Sequence, residues 1–438
     1  MFPTIFALSS GAAPSGVAVV RVSGEGVREA LKALCGLVPP PRQLVLRSIS
    51  GRDGIVVDRG LVAFFAAPHS FTGEDCAEFH VHGSRAVVAA LLAELGTLPG
   101  CRQAEAGEFT KRAFINGKLD LTGAEALSDL ILAETELQRR LAQSNADGRQ
   151  AALYADWRQR LLRGRALVEA ELDFSDEADV PGSVSDRVWS DMRVLRGEML
   201  RHLERFHAAE IVRDGYRVVI LGAPNAGKSS LLNAIAGREV AIVTDEPGTT
   251  RDVLEVALDL KGLKVVLLDT AGIREQAGRV EAIGIARARA AAERADLVLL
   301  LEDMVTPQPV SAPDGVEAMR IGTKADLVPS ERERVKKFDL VISSSTGAGL
   351  QELLEAIAVK AAEKTQPVSE SAVPTRQRHV DLIAAAAKGL DDALNDLQSL
   401  ELRVEGLRVA GDRIGRLSGE IDPEEVLGEI FSAFCIGK

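Results

Sequence analysis

The sequence predicts a protein of several domains: an α+β domain at the N-terminus, a helical domain that is discontinuous in sequence, and an α/β domain inserted into it. Three observations predict this arrangement. Strand-like and helical segments alternate over residues 1–118, helical periodicity dominates 119–213 and 365–438, and buried strands followed by Gly-containing loops occur over 214–364. The 438-residue chain is long enough for about three domains of ~150 residues each.

Short apolar runs in the N-terminal part have the pattern of strands. Residues 16–22 and 60–65 are the clearest, and residues 75–82 alternate polar and apolar side chains as a half-buried strand does. Helical stretches at 27–36 and 84–96 separate these strands. We therefore expect an α+β domain here.

The composition changes after residue 118, because Ala, Leu, Glu and Arg become frequent and Gly becomes sparse. Helical periodicity runs through 123–145, 148–172, 185–208, 376–400 and 406–415. The simplest interpretation is one helical domain divided by an insertion, since the ends of a compact domain often lie close together. Two separate helical arms are the alternative that the sequence leaves open.

A glycine-containing loop, Gly-Ala-Pro-Asn-Ala-Gly-Lys-Ser at 222–229, fits the pattern G-x-x-x-x-G-K-[ST]. The apolar run 218–221 before it predicts a buried strand, and 231–236 after it predicts a helix. In this context backbone N–H groups and the helix N-terminus converge on phosphates. We expect Lys228 to reach the β- and γ-phosphates of a nucleotide and the Ser229 hydroxyl to bind Mg²⁺.

Three further motifs follow in the order that a GTP-binding domain requires. Residues 248–252, Gly-Thr-Thr-Arg-Asp, supply a threonine for Mg²⁺ and the γ-phosphate, and 269–272 fit D-x-x-G after a second buried strand. Residues 323–326, Thr-Lys-Ala-Asp, resemble the guanine-reading N-K-x-D, and 342–347 form the matching base-side loop. Asp326 can accept hydrogen bonds from the N1–H and the exocyclic amine of guanine, which adenine does not offer.

Two positions depart from the pattern of Ras-like GTPases. Thr323 replaces the usual Asn, and a hydroxyl can make only part of the contacts of an amide. Ile273 follows D-x-x-G, where a Gln orients the attacking water in Ras-like proteins, and its side chain cannot hydrogen bond. The water must be oriented from elsewhere. Arg274, Glu275 and Glu281 lie in this region, although each one taken alone is more typical of a solvated charge on a helix face.

Composition excludes several classes of protein. The net charge of −12 argues against a broad basic surface for nucleic-acid backbone, although it allows a local basic patch or a basic partner. The four cysteines have no metal-ligand spacing, so we expect reduced thiols in a cytoplasmic protein. We expect no signal peptide, because the first basic residue is Arg21, and no membrane span, because no apolar run approaches ~18 residues.

The chain resembles the tRNA modification GTPase family MnmE, also called TrmE. Besides the nucleotide motifs, the resemblance is carried by 107–110 and 112–121, by Glu-Leu-Asp-Phe at 171–174 and by Phe-Cys-Ile-Gly-Lys at 434–438. It covers essentially the full length, and residues 9–16 depart from the loop usual at that place.

The resemblance implies a homodimer of three-domain chains. Residues 1–118 are similar to tetrahydrofolate-binding domains of one-carbon enzymes and also dimerise, 119–213 and 365–438 form the helical domain, and 214–364 form the G domain. The positions that match the family's folate contacts are Arg21, Glu78, Lys118 and, at the chain end, Lys438. A carboxylate can pair with the donor–acceptor edge of a pterin, and cations suit the glutamate tail of a folate. Without the resemblance, ordinary surface charges are the simpler interpretation.

The resemblance also implies how the missing Gln is replaced. Family members hydrolyse GTP when two G domains meet around K⁺, which takes the place of an arginine finger. Thr250 matches the Mg²⁺-binding threonine, and Glu281 matches the carboxylate that orients water as the catalytic residue. The implied K⁺ ligands are Asn225, Thr244, Glu246 and Thr249. Motifs and resemblance together assign the GTP site to Asn225, Ala226, Gly227, Lys228, Ser229, Ser230, Thr244, Thr249, Thr250, Asp269, Thr270, Ala271, Gly272, Thr323, Lys324, Asp326, Ser343 and Ser344.

The function that the resemblance implies is K⁺-dependent GTP hydrolysis in tRNA modification. Its cofactors are GTP, Mg²⁺, K⁺ and a reduced, one-carbon tetrahydrofolate. Its partners are tRNA and an MnmG-type FAD protein, in a heterotetramer that installs a carboxymethylaminomethyl- or aminomethyl-type group at C5 of the wobble uridine of certain tRNAs. Two alternatives stay open: a ribosome-assembly GTPase, which would be expected to carry a basic RNA-binding domain, and a scaffold that binds GTP without hydrolysing it.

Overall fold

The computed structural model describes residues 3–173, 184–238, 240–242, 254–269, 289–328, 337–366 and 372–419, and single positions 421, 431, 434 and 437. The chain divides into two compact units. One comprises Met1–Ser128, Ala151–Arg163 and Arg408–Lys438, and the other comprises Asp129–Gln150 and Gly164–Leu407.

The first unit contains a six-stranded sheet. Its strands are β1 (Thr4–Leu8), β2 (Ser15–Ser23), β3 (Val45–Ser50), β4 (Val56–Phe65), β5 (Cys76–Gly83) and β6 (Cys101–Gln103), in the order β3-β4-β5-β2-β1-β6. Every neighbouring pair is antiparallel except β1 and β6, which run parallel. The predicted α+β domain is present, and the strands at 4–8, 45–50 and 101–103 are additions to those predicted.

The two faces of this sheet bury different side chains. Val20 and Val22 of β2 point to a core shared with α1 (Val27–Cys35) and α2 (Arg85–Gly96). Because side chains alternate along a strand, Arg21 lies on the opposite face. On that face, Ile5 and Ala7 of β1 pack with Phe109 of α3 (Glu108–Ile115). Arg21 of β2 therefore lies on the face of the sheet against which Phe109 packs.

The helices that follow are α4 (Leu121–Leu132), α5 (Glu136–Ala146), α6 (Arg149–Asp173), α7 (Val184–Leu203) and α8 (Phe206–Asp214). The stretch 123–145, predicted as one helical run, is two helices. Thr135 ends the run because it is the N-cap of α5, where its backbone N–H donates to the Gln138 side chain at 3.0 Å in a capping box. The stretch 185–208 is likewise divided, between α7 and α8.

The second sheet belongs to the predicted α/β domain. Its strands are β7 (Tyr216–Gly222), β8 (Leu254–Leu260), β9 (Leu263–Asp269), β10 (Leu297–Asp303), β11 (Ala318–Thr323) and β12 (Leu340–Val341), in the order β12-β11-β10-β7-β9-β8. Only β8 is antiparallel to its neighbour among these described strands. Helices α9 (Lys228–Ala236) and α10 (Leu350–Thr365) accompany the sheet, with a 3₁₀ turn at Ala325–Leu327.

The strand order has a reversal point at β7. β9 lies on one side of β7 and β10 lies on the other, and all three run parallel. In open parallel sheets, ligands bind outside the carboxyl ends of the strands at such a reversal. The loop 222–229 leaves the carboxyl end of β7, so the phosphate-binding motif occupies this position.

The core of the second sheet extends beyond its own strands. Ile211 and Val212 of α8 are fully buried in it, and Leu137 and Leu141 of α5 pack against it. The Leu137 N–H also donates to the carbonyl of Gly262, in the turn between β8 and β9, at 3.0 Å. Helices predicted as part of a helical domain therefore help to close the α/β core.

The last described helices are α11 (Gln377–Ala393) and α12 (Leu400–Ser418). In the segment before α11, Thr375 accepts a hydrogen bond from Arg213, and Arg376 forms an ion pair with Asp129 at 2.5 Å. Cysteines 35, 76 and 101 are free thiols. None of the described helices is long and apolar enough to cross a membrane, and no group of three potential metal ligands occurs among the described residues.

Candidate nucleotide and folate sites

The phosphate-binding loop has the backbone that its sequence requires. Gly227 has a φ of 93° at the N-cap of α9, and Asn225 has a φ of 61°, a left-handed conformation that Asn adopts more readily than most residues. A Cβ at Gly222 would lie 2.8 Å from the carbonyl oxygen of Leu301, so β10 permits only glycine there. The Lys228 ammonium donates to the carbonyls of Gly222 and Ala223 at 2.8 and 3.0 Å. The lysine is thereby held within the loop that would surround the phosphates.

Ser229, a predicted Mg²⁺ ligand, meets Asp269 of the D-x-x-G motif beside this loop. The Ser229 hydroxyl donates to the Asp269 carboxylate at 2.9 Å. Asp269 is the last residue of β9, is 1% exposed, and lies opposite Ile220 of β7 in the strand register. A hydroxyl and a carboxylate are the hard oxygen donors that Mg²⁺ prefers, so these residues fit the ion.

The base-side residues also come together. Asp326, in the 3₁₀ turn after β11, accepts a hydrogen bond from the Ser343 hydroxyl at 2.6 Å. This hydrogen bond lowers the pKa of Asp326 below its usual value, so the carboxylate is ionised and can accept from a guanine edge. Ser343 also contacts Ser345 at 3.0 Å, which orders the loop after β12. Ser344 lies half-buried in the same loop.

One residue of this region was not predicted from the sequence. Asp303, at the end of β10, binds the Lys324 ammonium at 2.7 Å and accepts from the Val305 N–H at 2.8 Å and the Thr306 hydroxyl at 3.0 Å. Burial opposes ionisation, but these hydrogen bonds and the lysine charge hold the pKa of Asp303 below its usual value. The register of the parallel pair β10–β11 places Asp303 opposite Thr323, and the sequence pattern carries no signal for that register.

Thr323, the residue in place of the usual Asn, faces the phosphate loop. Its hydroxyl donates to the Ala226 carbonyl at 2.8 Å and lies 3.3 Å from the Glu302 carbonyl. The residue is 2% exposed. Thr323 thus connects the end of β11 to the loop that binds phosphates. Ser230, also assigned to the nucleotide, lies exposed in α9.

The predicted folate contacts of the first unit are partly assembled. Arg21 lies opposite Glu78 in the β2–β5 register, and its guanidinium donates twice to one oxygen of that carboxylate, at 3.0 and 3.2 Å. His80 contacts the other oxygen at 3.2 Å. The guanidinium carbon of Arg21 lies 5.2 Å from the Phe71 ring centre and 5.8 Å from that of Phe109. Arg21 and Glu78 are one ion-paired unit rather than two independent contacts.

The chain end is held against the same sheet. The Ser9 hydroxyl donates to the Gly437 carbonyl at 2.8 Å, and Gly437 lies against the carbonyl of Leu8 at the end of β1. Leu8 is opposite Val20, the neighbour of Arg21. Lys118 is exposed, and its side chain passes beside Gly73. Gly437, the last described residue, therefore lies near the position of Arg21 in the sheet.

Several predicted site residues lie outside the described residues. These are Thr244, Glu246, Thr249, Thr250, Thr270, Ala271, Gly272, Ile273, Arg274, Glu275, Glu281 and Lys438. The predicted switch residues 248–252 are also outside the described residues, so the described part of the predicted nucleotide site comprises the phosphate loop, Asp269 and the base-side loops.

Comparison with known proteins identifies the family over nearly the whole chain. Residues 4–118 match the family described as GTP-binding protein TrmE N-terminus, and 121–435 match the MnmE helical domain. The tRNA modification GTPase MnmE of Brucella anthropi is 56% identical over 437 residues, covering 99% of this chain and 98% of that protein. The protein of the same name from Mesorhizobium japonicum is 55% identical over 439 residues, covering 99% of both chains.

Among solved structures, the G domain of the T. maritima FeoB iron transporter is 30% identical and covers 33% of this chain and 98% of that chain. Its TM-score is 0.26, which supports no comparison of the overall architecture. The predicted fold class, an α+β N-terminal domain with a discontinuous helical domain and an inserted P-loop α/β domain, is confirmed by the described elements together with the family matches. With more than half of its residues identical to those of relatives of equal length, the chain belongs to the tRNA modification GTPase MnmE family.

Proposed function

We propose that this chain is a K⁺-dependent GTPase that modifies the wobble uridine of certain tRNAs, together with an MnmG-type FAD protein and a one-carbon tetrahydrofolate. Family membership makes the chain a GTP hydrolase that acts in tRNA modification. The K⁺ dependence, the flavoprotein, the folate and the position of the modified base are the parts that are proposed. The group installed at C5 is of the carboxymethylaminomethyl or aminomethyl type.

One observation carries the proposal: a nucleotide site and an ion-paired Arg21–Glu78 cluster occur in one chain. Ser229 and Asp269 meet at the reversal point of the α/β sheet, where a nucleotide would bind. The Arg21 guanidinium, paired with Glu78, lies near the rings of Phe71 and Phe109 in a different domain. A ribosome-assembly GTPase, the alternative function, has no use for such a cluster, and the net charge of −12 does not favour broad RNA binding.

For hydrolysis, each motif residue has a proposed task. Lys228 and the N-terminus of α9 bind the β- and γ-phosphates, and Ser229 with Thr250 would hold Mg²⁺, which neutralises phosphate charge when bound. Asp326 reads the guanine edge. Glu281 orients the attacking water in place of the Gln that Ile273 replaces. Glu281 is the proposed catalytic residue.

The proposed K⁺ site is centred on Asn225, with carbonyls of Thr244, Glu246 and Thr249. Asn225 is an exposed residue of the phosphate loop, and its side-chain oxygen is a neutral hard donor that suits K⁺. K⁺ supplies positive charge for the transition state when two G domains meet. Exposure of Asn225 supports this proposal, because a second G domain needs access to it.

For the folate, Glu78 would pair with the pterin edge while Arg21, Lys118 and Lys438 supply cations. Oε1 of Glu78 already accepts two hydrogen bonds from Arg21, whereas Oε2 is contacted by His80 alone and has a second lone pair for a ligand donor. The half-buried Phe71 beside Arg21 offers a flat apolar surface for a planar ring system, whereas Phe109 is fully buried beneath the guanidinium. These contacts are compatible with a pterin without requiring the ion pair to break.

We also propose the domain limits and assembly implied above: 1–118 as a folate-binding and dimerisation domain, 119–213 with 365–438 as the helical domain, and 214–364 as the G domain. The chain would act in the cytoplasm as a homodimer that forms a heterotetramer with the flavoprotein.

The test is GTP hydrolysis in KCl and in NaCl at equal ionic strength. We expect fast turnover in KCl only. An Asn225→Gly variant removes the amide but keeps the left-handed backbone without strain, so it should lose the K⁺ stimulation while still binding GTP. Equal rates in both salts would overturn the K⁺ proposal. Nucleoside analysis of tRNA from a deletion strain tests the modification itself. Normal assembly of ribosomal subunits in that strain would exclude the ribosome-assembly alternative.

A further inference from the structure

Thr323 occupies the position from which an asparagine would offer two N–H donors, and the difference has a consequence for base recognition. A carboxamide nitrogen carries two hydrogens, whereas a hydroxyl carries one. One asparagine side chain can therefore donate to two acceptors at once, and a threonine cannot. The single hydrogen of the Thr323 hydroxyl can be donated either to the protein or to the base, but not to both.

The contacts of the Thr323 hydroxyl show which acceptors its hydrogen can reach. Among the described residues, the groups within hydrogen-bonding distance are the carbonyls of Ala226, at 2.8 Å, and Glu302, at 3.3 Å. Both are acceptors, so the one hydrogen is directed at backbone oxygen, and the shorter contact is to the phosphate loop. Thr323 is 2% exposed and Ala226 is 2% exposed, so water does not readily replace the bond.

The guanine ring presents N7 and O6 as acceptors on one edge, and N1–H and the exocyclic amine as donors on another. A hydroxyl whose hydrogen is engaged can only accept, and two acceptors do not bond. Asp326, held ionised by Ser343, serves the donor edge. Thr323 therefore has no hydrogen available to donate to N7.

We propose that Thr323 is a positioning residue that joins β11 to the phosphate loop, and that this site selects guanine by its N1–H and amine edge without reading N7. A Cβ built at Gly227 would lie 3.8 Å from the Cβ of Thr323. The phosphate loop and the end of β11 are therefore in close contact. Among the residues of the T-K-x-D motif, Asp326 alone then selects guanine by hydrogen bonding to the base edge. This inference rests on the proposed base-reading role of Asp326.

The experiment measures binding of three diphosphates to the full-length protein by calorimetry: GDP, IDP and 7-deaza-GDP. IDP lacks the exocyclic amine, so it should bind about tenfold or more weakly, since a hydrogen bond to a carboxylate is lost. In 7-deaza-GDP a C–H group replaces N7, and its affinity should lie within threefold of that of GDP. These measurements need only the wild-type chain, so misfolding of a variant cannot obscure the answer.

The two arms separate the two claims. IDP that binds as tightly as GDP overturns the role of Asp326, on which the inference rests. If IDP is discriminated and 7-deaza-GDP is weaker than GDP by threefold or more, Asp326 keeps its role and the inference about N7 is wrong.

Variants at position 323 provide a second readout. Thr323→Asn supplies the missing donor, so it should bind GDP about two- to twelvefold more tightly than 7-deaza-GDP, the range of one neutral hydrogen bond. Thr323→Ser keeps one hydroxyl and is the matched control, with no preference between the two ligands. Thr323→Val leaves the Ala226 carbonyl without its donor and should weaken both ligands by the same factor. A Thr323→Val variant that weakens GDP but not 7-deaza-GDP would show that the hydroxyl reads N7 and would overturn the proposal.

Discussion

Substituting Gly437 by alanine is expected to detach the chain end from the first sheet and thereby weaken folate binding. Gly437 has a φ of 99°, and a Cβ there would lie 2.1 Å from the carbonyl oxygen of Leu8 and 2.9 Å from its carbonyl carbon. Leu8 belongs to β1, which is paired with β2 and β6. Because Leu8 is held in the sheet by its pairing with Val20 of β2, we expect the last residues to move instead.

The magnitude follows from the contacts that are lost. A left-handed alanine costs ~1–2 kcal/mol, and the Ser9 hydrogen bond to Gly437 contributes about 0.5–1.5 kcal/mol, before the clash is counted. Phe431 and Phe434 are 3% and 7% exposed, and their burial, worth ~1.5–3 kcal/mol each, is not disturbed. The segment should therefore stay docked as far as Phe434 and release the residues beyond it.

Release of the end removes the proposed contact of Lys438 with the folate tail. A hydrogen bond to a charged group is worth ~1.5–3 kcal/mol, so tetrahydrofolate should bind roughly ten- to 150-fold more weakly. The assay is anaerobic calorimetry with tetrahydrofolate, alongside the melting temperature. Gly36→Ala is the matched control, because Gly36 also has a positive φ of 76° but a Cβ there meets nothing within 4 Å. Affinity within twofold of the wild type in Gly437→Ala would refute the reasoning.

Three further outcomes are expected. Glu281→Ala should leave GTP affinity nearly unchanged and reduce kcat in KCl by on the order of 10²-fold, and a variant with the wild-type rate would show that another group orients the water. Arg112→Met should destabilise the first unit by ~3–5 kcal/mol in urea unfolding, because it leaves two carboxylates without their shared buried partner, whereas the exposed Arg139→Met should cost less than about 1 kcal/mol; similar costs would contradict this. Burial, with the nearby charges of His379 and Arg205, lowers the pKa of His202 to about 3. The folded state therefore binds fewer protons than the unfolded state, and stability should fall as pH drops from about 6.5 towards 3, by at most ~1.4 kcal/mol per pH unit, with a shallower slope in His202→Gln.

The parts of the nucleotide site that could be predicted from sequence are those fixed by local chain geometry. The loop 222–229 and the motif that begins at Asp269 each follow a strand directly, so position in the chain determines position at the sheet edge. The Ser229–Asp269 contact follows from two such motifs on neighbouring parallel strands.

The parts that could not be predicted depend on pairing between distant segments. The Asp303–Lys324 ion pair requires the register of β10 on β11, and the Arg21–Glu78 pair requires the register of β2 on β5. Periodicity contains no information about register, and although Lys324 lies in the T-K-x-D motif, no motif identifies its partner Asp303 or pairs Arg21 with Glu78. Helix periodicity also ran through Thr135, because a capping residue interrupts a helix without changing the spacing of apolar residues on either side.

The sharing of core residues between α8 and the second sheet has a practical consequence for work on the isolated G domain. A fragment cut at residue 214 would uncover the apolar surface that Ala209, Ile211 and Val212 cover in the full chain. Such a surface favours self-association, so weak solubility of that fragment would reflect where it was cut and not the nucleotide site. A fragment that starts at Phe206, the first residue of α8, keeps this cover.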